Sequence, residues 1–443
     1  MRRWNRRKLL GMVAMGGGVA AGTALSGRST WATGTSGSSH QLDPRILTTP
    51  PEAGAWVELD GAAIAANLRA VRAAAGGRPV MGVVKANGYG HGLVPMARIL
   101  TEAGVDALMV ITVDEALAIR QAGITTPVLN YGPFDRSAAE DLVLHGIDQA
   151  VYTAEAVEGM AAGARRVAAR ARLQVVLDTG LGRVGVPVAA AAEVLAVAAE
   201  VASHAEATIT GTATALTEDP DVDRLQLQRY RQICDAARAG GIDVGAQHVA
   251  SSAAVLDFPE SHLDMVRPGI MLYGHYPNDR SLRERPIDLT PVLSLRAKVA
   301  YVKTLQRGET IGYHGAWTAE RETTVATLPI GHSEGYPTGA LMAGGVVNVR
   351  GRPCELVGGI TSNHLEIRIP EGLTVRVGDV ATLIAGGAVA RSAALESSAG
   401  AAGAARSARE AALPTAPQVG EWTGDGVYGT LMHISPLLPR VIT

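Results

Sequence analysis

The sequence predicts an α/β protein, a (β/α)8 TIM barrel followed by a C-terminal β-strand domain. Three observations predict it. From Trp56 onward, short apolar runs alternate with longer segments of helical period, the pattern of parallel strands joined by crossover helices. Eight such units fit within about 230 residues, the size of a closed barrel. After about Asp288, short alternating segments separated by Gly and Pro suit a β domain instead.

The expected barrel strands lie near Val80–Val84, Ala107–Val110, Val128–Asn130, Gln149–Tyr152, Leu173–Leu177, Ala207–Thr212, Ala246–Ala250 and Leu263–Val266. Helical stretches between them include VDEALAIRQAG, from Val113, and DRLQLQRYRQICDAARAG, from Asp223. The same string also fits an open doubly wound sheet. Downstream, LSLRAKVAYVKTL, TTVATLPIG, VVNVRG, HLEIRI and VATLIAG read as strands. The barrel is expected over residues 55–288 and the β domain over 289–443. Within the latter, an Ala/Ser/Gly/Arg tract at 386–418 reads as a helical insertion or a loop without chemistry of its own.

Composition narrows the function classes. The 443 residues carry 40 basic and 42 acidic side chains, so nothing electrostatic points to nucleic acid or an acidic membrane. Small aliphatic residues dominate, with only two Phe, which suits repeated strand–helix packing. The two cysteines, Cys234 and Cys354, form neither a metal-ligand spacing nor a disulfide framework, although a single bridge stays open. His145, His204, His262 and His433 show no metal spacing, and no metal is expected.

The N-terminus reads as a targeting segment. Arg2, Arg3, Arg6, Arg7 and Lys8 precede a Gly-rich, mildly apolar stretch from Leu9 to Leu25. Arg6-Arg7 with Lys8-Leu9-Leu10 resembles a twin-arginine export signal. Residues 1–32 are therefore expected to direct export, placing the protein in the periplasm; read instead as a basic tail, they leave it in the cytoplasm. The stretch is too weakly apolar for a stable membrane anchor. Residues 33–54, rich in Gly, Ser and Pro, read as a flexible leader.

The strongest chemical signal is VMGVVKANGYGHG, Val80 to Gly92. Lysine is rarely buried without a partner, so Lys85 at the end of an apolar strand is unusual. At the C-terminal rim of a barrel, its pKa can fall and its amine can form a Schiff base. On residue chemistry alone, a solvated lysine fits as well. The segment closely resembles the pyridoxal-phosphate lysine motif of alanine racemases. WVELDGAAIAANL, from Trp56, is similar to the opening of that family, and the motif order continues to the last residues.

The resemblance implies a set of residues. Lys85 carries pyridoxal 5'-phosphate. Arg183, in LDTGLGRVGV, approaches the cofactor's phenolic oxygen and the substrate. In HVASSAAVLDFPESHLDMVRPGIMLYG, from His248, Ser252 and the backbone of Gly269 and Ile270 hold the phosphate with Tyr89, and Arg267 faces the pyridine nitrogen. That placement agrees with barrel phosphate sites, which form after strands seven and eight. Tyr313, in TIGYHGAWTAE, takes the position of the catalytic tyrosine, and Tyr428, in YGTLMHISPLLPRV, that of a further phosphate ligand. Racemisation needs a base on each face of the α-carbon, and Lys85 and Tyr313 fill those roles. The resemblance further implies a head-to-tail homodimer in which Tyr313 of one chain serves Lys85 of the other.

Departures fall around the substrate. Val176 stands where many members carry a carbamylated lysine, and Ala215 where a histidine stacks on the pyridine ring. Ser251 replaces an asparagine, His332 replaces a tyrosine at the entrance, and Ser362-Asn363 replaces a Met-Asp pair. His332, Ser362 and Asn363 join Arg183 as expected substrate contacts. The expected activity is interconversion of L- and D-alanine. The alternative is the broader range of exported racemases, which act on residues such as lysine and arginine. A pyridoxal-dependent decarboxylase is a third reading: that class uses a Cys-Asp base in its β domain, whereas Cys354 here precedes Glu355 and reads as strand packing.

Overall fold

Strands and helices follow the order of the apolar periodicity, and the computed structural model describes residues 46–387, 389 and 413–443. The expected export signal, residues 1–32, most of the leader and most of the Ala-rich tract lie outside the described residues. Among the described residues, no helix is long and apolar enough to cross a membrane.

Seven parallel strands pair in sequence order: Met81–Val83, Ala107–Val110, Val128–Asn130, Asp148–Val151, Ala171–Asp178, Ala207–Ala213 and Ala246–His248. The first four are buried throughout, as strands covered on both faces must be. The eighth position is taken by Asp264–Pro268 without a regular strand. Met265 bridges His248 and Val266 bridges Val80, and the Met81 and Val83 amides donate to the Val266 and Pro268 carbonyls at 2.8 and 3.1 Å. Leu263 has a φ of 48° and Pro268 has no amide proton, so the expected strand shortens to these bridges. The result is a TIM-barrel-like α/β domain. Side-chain caps start its helices: Thr112 for Val113–Gln121, Thr153 for Ala154–Val167, and Asp219, followed by Pro220, for Pro220–Ala239.

The second sheet has the order Ile46–Leu47, Arg440–Ile442, Ala55–Leu59, Leu293–Lys298, Val380–Ile384, Val346–Val349, Arg352–Ile360, Leu365–Arg368, Thr323–Leu328, Tyr301–Leu305. Two of its members sit outside the expected boundaries. Ala55–Leu59, placed with the barrel from sequence, pairs antiparallel with Leu293–Lys298 and parallel with Arg440–Ile442. Ile46–Leu47, within the expected leader, pairs with Arg440 and Val441. Ala55–Leu59 buries its apolar side chains in this sheet, and a buried strand looks alike in either setting; Ile46–Leu47 stays half-buried at the sheet edge. A small hairpin, Thr310–Ile311 with Trp317–Thr318, packs on its own cluster of Leu305, Ile311, Ala319, Val325 and Val357. The main core runs without a break from the barrel into the sheet. Both cysteines are free and buried.

Candidate active site

The C-terminal ends of the barrel strands open onto one cavity of about 440 Å³. Its wall includes Lys85, Tyr89, Arg183, Ser252, Arg267, Gly269, Ile270 and Tyr428, so every expected cofactor contact lines the same space. Ala215 and Ser251, two of the departures, line it as well. Val176 is fully buried in the Ala171–Asp178 strand.

Lys85 leaves its strand into an unusual backbone. Ala86, Asn87, Gly88 and Tyr89 take φ values of 55°, 55°, 60° and 50°, a full left-handed turn. Such a conformation costs about 1–2 kcal/mol per residue that has a Cβ; Gly88 escapes the cost and Asn tolerates it, so Ala86 and Tyr89 carry most of the strain. Local bonds hold the turn. The Gly88 amide donates to the Val84 carbonyl at 2.9 Å and the Gly92 amide to Asn87 at 2.8 Å. Asn87 Oδ1 accepts from the Leu93 amide at 3.0 Å, and Glu115 Oε1 accepts from the Asn87 amide at 3.1 Å. His91 is fully buried against the Tyr89 carbonyl and the Tyr273 ring, and burial pulls its pKa down to about 3. It stays neutral and acts as a spacer.

Burial lowers the Lys85 pKa, the Arg183 cation lowers it further, and Glu115 partly opposes both. A lowered pKa raises the fraction of free amine, the form that attacks a carbonyl or removes a proton. Arg183 follows a turn ordered by Asp178, whose Oδ1 accepts from the Gly180 and Gly182 amides at 3.0 Å.

On the neighbouring stretch of the rim, the Gly269 amide donates to Ser252 Oγ at 2.9 Å. A Cβ at Gly269 would stand 2.3 Å from the Tyr89 hydroxyl, so only glycine lets backbone and phenol converge there. Burial raises the pKa of Tyr89 above its usual range, and it pushes that of Tyr428 up to about 12. Both phenols therefore remain hydrogen-bond donors at any biological pH. Donors converging from a hydroxyl, two phenols and a backbone turn suit an anion such as phosphate.

Arg267 is buried over the Tyr131 ring. Its Nη2 donates to the Thr214 carbonyl at 2.7 Å and to the Val249 carbonyl at 3.1 Å. Nη1 is buried with no partner among the described residues, an unspent donor on a cavity-lining side chain. An acceptor on a bound ring would satisfy it.

The remaining expected residues lie elsewhere. Tyr313 occupies a short turn on the hairpin of the β domain and is 79% exposed. It is not part of the wall around Lys85 of its own chain. His332, Ser362 and Asn363 are exposed neighbours of one another: Ser362 Oγ lies 3.3 Å from His332 Nε2, and Asn363 Nδ2 donates to Glu334 Oε1 at 2.8 Å. The cavity of the same chain does not include them.

Sequence reasoning missed several wall residues. Tyr131 carries a buried, unpartnered hydroxyl beside Arg267. Glu218 lines the cavity with a φ of 69°, and burial raises its pKa. Behind the wall, the Glu115 amide donates to the capping Thr112 hydroxyl at 3.2 Å while its carboxylate braces the turn after Lys85. Only the Asn-Gly pair in the turn hinted at left-handed backbone.

Comparison with known proteins places this arrangement. Residues 59–277 match the alanine racemase N-terminal domain and residues 292–409 the alanine racemase C-terminal domain. An alanine racemase of Symbiobacterium thermophilum is 37% identical over 333 residues, covering 74% of this chain and 87% of the relative. The crystal structure of alanine racemase from D-cycloserine-producing Streptomyces lavendulae superposes with a TM-score of 0.76 at 31% identity, covering 89% of this chain and 98% of that one. A histidine racemase from Leuconostoc mesenteroides gives the same TM-score at 25% identity, covering 90% of this chain and all of its own. The chain belongs to the alanine racemase family and is an isomerase, an amino-acid racemase.

Proposed function

We propose that this racemase interconverts the L and D forms of a free amino acid, alanine first, with pyridoxal phosphate on Lys85 and Tyr313 supplied by a second copy of the chain. One observation carries the reading: a lysine amine of lowered pKa, an unspent arginine donor and a Ser252–Gly269–Tyr89–Tyr428 cradle surround a single cavity. These residues fit the cofactor's aldehyde, ring nitrogen and phosphate respectively. When bound, pyridoxal phosphate supplies an aldehyde for an amine and a ring that draws electron density from the α-carbon.

The chain's own residues divide the remaining work. Ser252, the Gly269 and Ile270 backbone, Tyr89 and Tyr428 would hold the phosphate. Arg267, whose Nη1 is buried without a partner among the described residues, would face the ring nitrogen and, as a guanidinium that does not surrender its proton, would favour an unprotonated ring and a modest electron sink. Lys85 removes or returns the α-proton on one face. Tyr313 serves the opposite face; its exposure on a hairpin outside its own cavity supports a head-to-tail homodimer, since one chain alone leaves the second face unserved.

A broader substrate range is favoured by Ala215, which lines the cavity with a methyl where the family places a stacking histidine. The exposed Ser362 and Asn363 in place of Met-Asp act in the same direction. The decarboxylase reading loses ground because Cys354 is fully buried in a strand and burial raises its thiol to about 11, which removes it as a base. For localisation, the basic run before Leu9 supports export to the periplasm. The test incubates purified protein with L-alanine, L-lysine and L-arginine separately and resolves the products by chiral chromatography. D-isomer without carbon dioxide is expected; carbon dioxide release, or D-isomer from Lys85→Ala at the wild-type rate, refutes the reading.

A further inference from the structure

We propose that Arg440 is a positioning residue for Lys85: its buried guanidinium clamps the left-handed turn that aims the lysine amine into the cavity. The inference rests on the cofactor reading above and adds a residue that touches neither cofactor nor substrate.

Arg440 is 3% exposed and spreads its donors over four carbonyls. Nη2 donates to Gly90 at 2.9 Å and Nε to His91 at 3.2 Å, both at the close of the turn. Nη1 donates to Ser435 at 2.9 Å and Leu438 at 2.5 Å, within its own segment. One planar cation thus ties the turn to the C-terminal segment, and a guanidinium fork matches several carbonyls at once where an ammonium does not. The anchor is itself fixed, because Arg440 pairs with Val57 on one side and Ile46 on the other.

The same segment grips the turn twice more. A Cβ on Gly90 would lie 1.8 Å from the Leu431 carbonyl oxygen, so the two backbones are in direct contact. Tyr428, from the helix Gly426–Met432, places its ring 6.2 Å from that of Tyr89. Ala86 and Tyr89 oppose this conformation by their own sterics. Relaxation of the turn to right-handed backbone would swing Lys85, which immediately precedes it, away from Arg267 and Ser252.

A second left-handed alanine provides an internal control. Ala168, exposed at the end of the helix Ala154–Val167, has φ 52° and ψ 42°, close to the 55° and 53° of Ala86. Gly relieves the same backbone strain at either position, but only Ala86 belongs to the turn. The experiment mixes cofactor-stripped full-length chain with pyridoxal phosphate, traps with borohydride at timed intervals, and measures label on Lys85 by peptide mass spectrometry, with Lys298 and Lys303 as references. Arg440→Gln is expected to slow Lys85 labelling roughly tenfold or more while the reference lysines are unchanged. Adding Ala86→Gly restores most of the loss, and adding Ala168→Gly restores none. Should Arg440→Gln fail to fold, Arg440→Lys carries the same comparison. Labelling at the wild-type rate in the Arg440 variant, or rescue by Ala168→Gly equal to that by Ala86→Gly, including no rescue by either, overturns the clamp alone. Absence of label on Lys85 in the unmodified chain overturns the cofactor reading and the clamp with it.

Discussion

Arg267 Cζ stands 5.2 Å from the centroid of the Tyr131 ring, so a buried cation rests on an aromatic face with one nitrogen committed to carbonyls and another free. The geometry fixes the guanidinium before any ligand arrives. Replacing it by Lys keeps the charge but cannot satisfy Thr214 and Val249 while also reaching a ring nitrogen. Arg267→Lys is expected to weaken cofactor binding by about 1–3 kcal/mol, the cost of leaving buried groups unsatisfied. A titration of stripped protein with pyridoxal phosphate reads this directly; an unchanged dissociation constant would separate Arg267 from the ring.

Lys85 should react as an amine at lower pH than a free lysine, because burial and Arg183 both disfavour its ammonium form. The sign is specific. Removing the cation with Arg183→Met favours the ammonium, so the apparent pKa for reductive labelling of Lys85 rises and labelling near neutral pH slows. Removing the opposing carboxylate with Glu115→Gln lowers it. Labelling profiles across pH distinguish the two, and shifts in the opposite directions would contradict the electrostatic account.

Tyr313→Phe should leave cofactor binding intact and cut racemisation by about 10²–10⁴, the usual contribution of a positioned acid–base group. Mixing it with Lys85→Ala tests the shared site. Random exchange of subunits in a two-fold dimer would restore about a quarter of wild-type activity, from mixed dimers with one complete site each. No recovery after exchange would place Tyr313 in the service of its own chain.

Ala215→His combined with Ser362→Met and Asn363→Asp should narrow the substrate range towards alanine. The added imidazole fills space at the cavity wall, and the Met-Asp pair restores bulk and charge on the exposed β-domain face. Relative kcat/KM across a panel of small, basic and imidazole side chains is the readout. Ratios that do not move would assign selectivity to other wall residues such as Glu218 or Thr217.

Much of this was legible because parallel barrel strands are buried on both faces and announce themselves as short apolar runs. The strands from Met81–Val83 to Ala246–His248 fall within a residue or two of their expected positions. Lys85, Tyr89, Arg183, Ser252, Arg267, Gly269, Ile270 and Tyr428 also gather in one cavity, since motifs at strand ends converge on the same rim. What stayed hidden depended on long-range packing. No side-chain pattern marks Ala86 and Tyr89 as left-handed, and the contacts of Gly90 and His91 with Arg440 and Leu431 join residues far apart in sequence. Tyr131 gains its place in the site only from Arg267, distant in sequence, which lies over its ring. Ala55–Leu59 could not be assigned to a sheet by its own pattern, because its partners are Leu293–Lys298 and Arg440–Ile442.

That last pairing shapes how the molecule is made. Thr443 Oγ1 donates to the Leu59 carbonyl across 384 residues of sequence. During synthesis, the flank of Ala55–Leu59 that Arg440–Ile442 will cover stays bare while the whole barrel emerges, a template for wrong partners. Contacts this distant in sequence slow folding, so the closing of this edge by the last residues is expected to be a late step.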